Sequence, residues 1–425
     1  MRVSSLRLLN VLTAVLLCAG AAHARTGLPS SRQQAARTSV GPFELVSPDS
    51  TSRLRLQFVG QLRLGFESKD RGKGKSRTKE TYMEARRIRL LLSGSVFASD
   101  LTYRLHLSTA PGSLELMDFY FNYRHKRWPE FRYGQYKTPF TRYRIQSFQN
   151  LTFVDWAIVT KFFGAERQMG FALHNGYEKP PRWGYIFGVF TGVNARASHG
   201  IGVAKVYGEE APNPSDLAHP GPRAKFHPEV FLHLVYSAHG IQIQSDTDEE
   251  GGPLRYSVSV SGGWDLDPMA YQDFTIRLAP EVLVKYHGAS FFAVGYAGFA
   301  QIGDASVNKL AMLGGLGQTA YRINRRLEFS ARYAIVDFRD ALVDDAAARA
   351  KELIAQASEE TLAAVKAQYK DAGQVRREQE ATVGCNVYLV GHSLKWQNDA
   401  GMLRHNRRSE TRVDYQVRSQ FQVAF

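Results

Sequence analysis

Disulfide chemistry is almost absent from this chain. It has two cysteines in 425 residues: Cys18, in the apolar stretch at the start, and Cys385. Once Cys18 is lost in processing, no intramolecular disulfide can form, so rigidity must come from another source. Long apolar runs are missing as well. Only residues 8–20 approach one, and a mean hydropathy of −0.31 excludes a polytopic helical membrane protein. Arg2 and Arg7 precede that run and Ala22-His23-Ala24 follows it, which reads as a signal peptide over 1–24, cleaved near Arg25. Leu17, where a lipoprotein site would want a small residue, argues against lipidation. No Gly-x-Ser-x-Gly occurs, and His106, His174 and His392 have no evident serine or acidic partner at an informative spacing. No His, Asp and Glu set has metal-ligand spacing. His227, His233 and His239, six residues apart, read as histidines of one strand face rather than a zinc site. Gly314-Gly315-Leu316-Gly317 lacks a following lysine, so close strand packing is expected there instead of a phosphate loop. No catalytic residue, metal or cofactor is therefore expected. Acidic residues are also in short supply: 40 against 54 Lys and Arg, a formal net charge of +14. Export argues against nucleic acid, leaving an anionic membrane surface or small anions as partners.

What the sequence has in abundance is alternation with period two. In 412–425, Val413, Tyr415, Val417, Phe421, Val423 and Phe425 stand between Arg412, Asp414, Gln416, Arg418, Gln420 and Gln422. The pattern is that of a strand with one oily and one wet face. It recurs near the other end of the chain, where Leu54, Leu56, Phe58, Leu62, Leu64 and Phe66 alternate with polar residues. First and last strands of the same character predict a sheet closed on itself. Between them the spacing predicts strands at 86–97, 101–107, 116–123, 131–140, 169–175, 182–192, 230–239, 254–264, 274–278, 282–287, 291–299, 309–322, 327–337, 383–390 and 393–397. About sixteen strands with short turns on one side and long loops on the other is the signature of a transmembrane antiparallel β-barrel. The barrel is assigned to 51–425, after a flexible lead-in over 25–50. Helical spacing of Ala346, Ala350, Leu353, Ile354, Ala357 and Leu362 marks an external helical insertion over 339–380. Residues 141–167 break the rhythm and mix aromatics with Arg142 and Arg144, as a functional loop would.

A closed barrel in lipid turns its polar phase inward, because Arg or Lys on the lipid face costs roughly 2–4 kcal/mol at midplane. That phase contains Arg53, Arg55, Arg63, Arg87, Arg89, Arg104, Lys137, Arg255, Lys285, Arg332, Lys395, Arg412 and Arg418. The carboxylates in it are fewer: Glu67, Asp118, Glu281, Glu328 and Asp414. A lumen with net positive charge selects anions, and the guanidinium fork matches oxyanions. Pairing with lumen carboxylates, or placement at loop tips facing lipopolysaccharide, is the alternative for any one of these cations. A sugar-type pore would want an aromatic track, for which Tyr120 and Tyr133 are candidates; a barrel enzyme is the remaining alternative.

Several segments resemble the phosphate-selective porin O and P family. Arg86-Arg87-Ile88-Arg89-Leu90 with Ser93-Gly94 resembles its second strand. Leu116-Met117-Asp118-Phe119-Tyr120 is similar to a further strand. Tyr133-Gly134-Gln135-Tyr136-Lys137-Thr138-Pro139-Phe140 resembles the most specific motif of the set. The closing Gln420-Phe421-Gln422-Val423-Ala424-Phe425 resembles the terminal strand and its assembly signal. The resemblance implies a sixteen-stranded homotrimeric porin in a Gram-negative outer membrane, amid lipid and lipopolysaccharide, passing phosphate or related anions. It also implies that the third external loop, here 141–167, folds inward as a constriction. Arg86 or Arg87, Lys137 and the carboxylate Asp118 fall in the matching motifs. Val154-Asp155-Trp156 stands where that family usually has an acidic-basic pair.

Overall fold

The computed structural model describes residues 43–109, 114–124, 129–164, 166–192, 206–207, 228–266, 276–301 and 309–425. The segment expected as a signal peptide, most of the lead-in and His227 lie outside the described residues.

Seventeen strands follow one another in sequence: β1 (Phe43–Val46), β2 (Arg53–Lys69), β3 (Thr78–Val96), β4 (Ala98–Ser108), β5 (Glu115–Tyr123), β6 (Glu130–Lys137), β7 (Arg167–His174), β8 (Trp183–Phe190), β9 (Glu229–Ala238), β10 (Arg255–Asp265), β11 (Ile276–Tyr286), β12 (Ala289–Gln301), β13 (Lys309–Arg322), β14 (Leu327–Phe338), β15 (Val375–Val390), β16 (Leu394–Arg407) and β17 (Thr411–Ala424). Each barrel strand pairs antiparallel with its neighbours in sequence, and β17 closes on β2 from Tyr415↔Ser68 to Ala424↔Val59. Strands β2 to β17 thus form a closed sixteen-stranded barrel with no free edge. Phe425 continues the seam: its backbone N–H donates to Phe58 O at 3.0 Å and its carbonyl accepts from Phe58 N at 2.8 Å. β1 lies beyond the barrel seam, paired to the first residues of β2, so the lead-in ends in a strand rather than a free segment.

The alternation read from the sequence is the alternation of the wall. In β2, Gln61 and Arg63 are buried while Leu62 and Leu64 face outward, 59% and 48% exposed. Two regions differ from expectation. The segments expected as separate strands at 274–278 and 282–287 are one strand, β11. Pro280 interrupts the apolar pattern, but the register with β10 runs through it, while the ladder to β12 passes from Leu278 to Glu281. The helical insertion ends earlier than 380: helices at Asp340–Gln356 and Leu362–Gln368 give way to β15 at Val375. The run Arg376-Arg377-Glu378-Gln379-Glu380 is too polar to betray a strand, yet Glu378 and Glu380 are buried on its inner face.

Loops sort by end. Connections at 70–77, 138–166 and 339–374 share one end with the other long loops; the turns at 97, 287–288 and 391–393 share the other with both termini. One connection at the short-turn end is long: 239–254, between β9 and β10. It does not hang outside. Ile241, Ile243, Asp246, Thr247 and Asp248 are all buried.

Candidate functional site

The 138–166 connection folds into the barrel, as expected of the third loop. Its apolar residues drive the turn inward: Phe140, Val159, Phe162 and Phe163 are fully buried. Phe163 stacks on Tyr296 at 5.2 Å and Tyr143 meets Trp156 edge-on at 4.9 Å. The wall makes room at Gly314, where a Cβ would come within 2.5 Å of Phe163 and 2.8 Å of Val159. Gly314 therefore serves close approach of the inward loop, while Gly317 has nothing within 4 Å of where a Cβ would stand.

Main-chain groups of the loop are then satisfied by the polar phase of the wall, as buried backbone requires. Arg142 N donates to Glu281 at 2.6 Å, Ile158 N to Glu380 at 2.6 Å and Thr141 N to Ser261 Oγ at 3.1 Å. Lys395 Nζ and Gln397 Nε2 each donate to Leu151 O at 2.9 Å. Several carboxylates and cations read as lumen lining thus act as straps for this loop.

The arginine-rich wall of β2 and β3 meets the loop at Asp155. Arg87 lies 2.8 Å from one carboxylate oxygen, and Arg86 and Arg63 lie 3.2 and 3.3 Å from the other. Arg86 can share this acceptor with Arg87 because a bulge sits between them: Gln61 pairs with Arg87 and Leu62 with Ala85. Asp155 thus answers the cations of the resembling motif from within the loop. Other expected pore cations are likewise paired. Arg142 contacts Asp246 at 2.9 Å, Arg144 is paired with Glu166 and Arg332 with Glu380. For these residues the alternative of pairing with carboxylates holds: charges leaving bulk water are accompanied by carboxylates that offset their desolvation. Arg53 sits at the rim, exposed, 3.0 Å from Glu44. Arg55 and Arg89 follow the inward register, Arg89 over the Phe148 ring at 5.8 Å. Asp118 accepts from Arg167 Nε at 2.6 Å and meets His106 Nδ1 at 2.7 Å, so His106 does have an acidic partner, one strand away.

A cavity of about 580 Å³ lies between the loop, the wall from β2 to β9 and the 239–254 connection. Seven Lys and Arg residues and three carboxylates line it. Arg104 is half-buried there and has no hydrogen bond or ion pair among the described residues. Lys137 Nζ donates to the loop carbonyls of Gln146, at 2.7 Å, and Ile145, at 3.5 Å; no carboxylate lies within ion-pair distance of it among the described residues. Arg132, not singled out from the sequence, lies between the rings of Tyr120 and Tyr177 at 4.2 and 4.1 Å. It donates to both oxygens of Glu178, at 2.9 and 3.0 Å. Glu178 is in the β7–β8 turn; burial pushes its pKa up, but Arg132 outweighs this and holds it down to about 2. The sequence signal for Arg132 is its place between the apolar Phe131 and Tyr133, in the phase opposite to that of Lys137.

The 239–254 connection reaches the same loop from the opposite end. Arg142 donates to Ile243 O at 2.8 Å, Gln146 Nε2 to Asp246 at 3.0 Å and Asn150 Nδ2 to Gln244 O at 2.9 Å. His392 brings Ser245 and Glu249 together, at 3.0 and 2.7 Å, but both contact its Nε2. A hydrolytic relay needs them on opposite ring nitrogens, and Nδ1 faces Lys395 at 3.2 Å. His233 bonds Ser261 Oγ at 2.8 Å, whereas His239 is in an exposed turn with φ 56°; they share no face.

Residues 56–212 match the family model described as "Phosphate-selective porin O and P". The resemblance carried by the strand motifs is borne out over that segment. Among solved structures, the outer membrane channel DcaP of Acinetobacter baumannii is 11% identical, covering 90% of this chain and 99% of its own, with a TM-score of 0.53. OprB of Pseudomonas putida is 12% identical, covering 89% of this chain and 95% of its own, with a TM-score of 0.52. No curated protein sequence matches the chain. These two solved structures share the barrel fold with this chain, and the family match adds a likeness over residues 56–212.

Proposed function

We propose that the protein is a porin giving passive diffusion of small anions, phosphate or related oxyanions, across a Gram-negative outer membrane. It would work as a homotrimer, exported by residues 1–24. One observation carries the reading. The space that the constriction loop leaves is lined by seven cations, Arg142 of the loop itself among them, against three carboxylates, and two of those cations, Arg104 and Lys137, have no carboxylate within ion-pair distance among the described residues. Such a field concentrates anions and repels cations. The cations expected at the constriction contribute differently: Arg63, Arg86 and Arg87 share Asp155, and Glu84 stands 3.4 Å from Arg63 and 4.0 Å from Arg86, so three positive charges meet two negative ones there.

A sugar pathway draws support from Tyr120, Tyr136 and Tyr177, which line the same cavity. Tyr120 and Tyr177 are already engaged with Arg132, which favours the anion reading. Reversal potentials in planar bilayers under a potassium chloride gradient, with and without added phosphate, test it. Anion preference is expected, and Lys137→Glu and Arg104→Glu should each shift the reversal potential toward cations. A cation-preferring wild type would sink the proposal.

A further inference from the structure

We propose that His405 is a proton-controlled switch in the vestibule at the long-loop end, setting how much negative charge an arriving anion meets before the constriction. This role presupposes that the barrel conducts anions. Outward from the belt of Arg63, Arg86 and Arg87, the lumen phase of the seam changes sign. On β2, Arg63 is followed in phase by Gly65 and then Glu67, which stands directly across from Glu80 of β3. On β17, Arg418 is followed by Gln416 and Asp414, and on β15 Glu380 by Glu378. His405 lies between the last two strands, on β16, opposite Glu378 on one side and Arg412 on the other. Its ring reaches a carboxylate on each neighbour: Nδ1 is 3.3 Å from Glu378 and Nε2 is 3.4 Å from Asp414.

A neutral imidazole carries one N–H and an imidazolium two. With a carboxylate at each ring nitrogen, only the charged ring can donate to both. Protonated, His405 ties three neighbouring strands together and offsets one of the two carboxylate charges; neutral, it donates to a single carboxylate and offsets neither charge. The cations around it are already matched. Arg412 is paired with Glu410, Arg407 with Asp371 and, one pleat inward, Arg332 with Glu380. Asp70, from the β2–β3 loop, donates its backbone N–H to Asp414 at 2.7 Å, and its carboxylate stands 3.6 Å from Arg77. Across the seam, Lys69 lies 2.8 Å from Glu67, and Glu84 of β3 lies 3.4 Å from Arg63. The His405 side chain is 24% exposed, so solvent protons reach it. Imidazole is the side chain whose ordinary titration falls between about pH 5 and 8, so the charge of this vestibule changes there through His405.

Reversal potentials under a potassium chloride gradient test the switch, with the pH stepped from about 5.5 to about 8 on the long-loop side alone. Chloride keeps its charge over this range, so a response belongs to the protein. Wild type should lose part of its anion preference as the pH rises. His405→Gln should show the weaker preference at both pH values, and His405→Arg, whose charge is fixed, the stronger one. A response as large in His405→Gln as in wild type, or wild-type potentials that ignore the step, would overturn the switch and leave the anion reading standing. A response obtained only from the short-turn side would overturn it too, assigning the titration to that end, where His392 lies. A channel that prefers cations throughout, yet answers the step in wild type and not in His405→Gln, would sink the anion reading and keep the switch.

Discussion

Arg142 and Asp246 meet at 2.9 Å inside the barrel, although their segments enter from opposite ends. The first belongs to the inward loop between β6 and β7, the second to the connection between β9 and β10. Both side chains are almost wholly buried, and Asp246 also accepts from Gln146. The lumen is therefore braced by two segments that hold one another. Between them they leave uncovered the cavity that is lined by β2 to β9.

Removing Asp246 tests that brace. Leaving one member of a buried pair unpaired costs roughly 3–5 kcal/mol, a loss large enough to free the loop without opening the barrel's own ladder. Asp246→Ala should raise single-channel conductance and add open-state flicker. Asp246→Asn, which keeps an acceptor for one hydrogen bond, should fall between variant and wild type. Traces indistinguishable from wild type would mean that the two segments are held independently.

Asp155 offers a test with the opposite sign on charge. It is the shared acceptor for Arg63, Arg86 and Arg87, so Asp155→Asn should expose uncompensated positive charge at the constriction. Anion selectivity should rise, measured as a larger reversal potential under a salt gradient. If selectivity falls instead, the three guanidinium groups depend on Asp155 for their placement more than it masks them.

The barrel was legible because a lipid-facing wall forces strict alternation: Leu62, Leu64 and Phe66 outward and Gln61 and Arg63 inward could be read without coordinates. Closure was legible from the likeness of the first and last strands. Pairings across the lumen were not. Arg63 and Asp155 are 92 residues apart, and nothing in a loop without periodicity says which carboxylate will reach which arginine. The bulge at Arg86 left a trace, since Ala85-Arg86-Arg87 breaks the alternation, but two adjacent arginines cannot say which one is extra. The 239–254 connection looked like a loop and is one; its inward fold depends on Ile241 and Ile243 finding apolar cover that only the assembled barrel supplies. Arg132 alternates with Phe131 and Tyr133, but a phase that takes in Lys137, five residues on, excludes it.

The pair Arg132–Glu178 ties the β7–β8 turn to the wall, and it predicts the acid response of the protein. Glu178 has an ordinary value of 4.5 and is held down to about 2 by Arg132 against the effect of burial. The unfolded chain therefore takes up this proton before the folded one does. The stabilisation is complete above about pH 4.5 and is lost as the pH falls through about 2. Thermal unfolding in detergent should place wild type above Glu178→Gln at neutral pH, and the gap should close between about pH 4.5 and pH 2. In bilayers at neutral pH the same variant should prefer anions more strongly, because Arg132 keeps its charge and loses its carboxylate. A gap that persists unchanged at the acid end would mean that Glu178 holds the turn by shape and neutral hydrogen bonding, not by its charge.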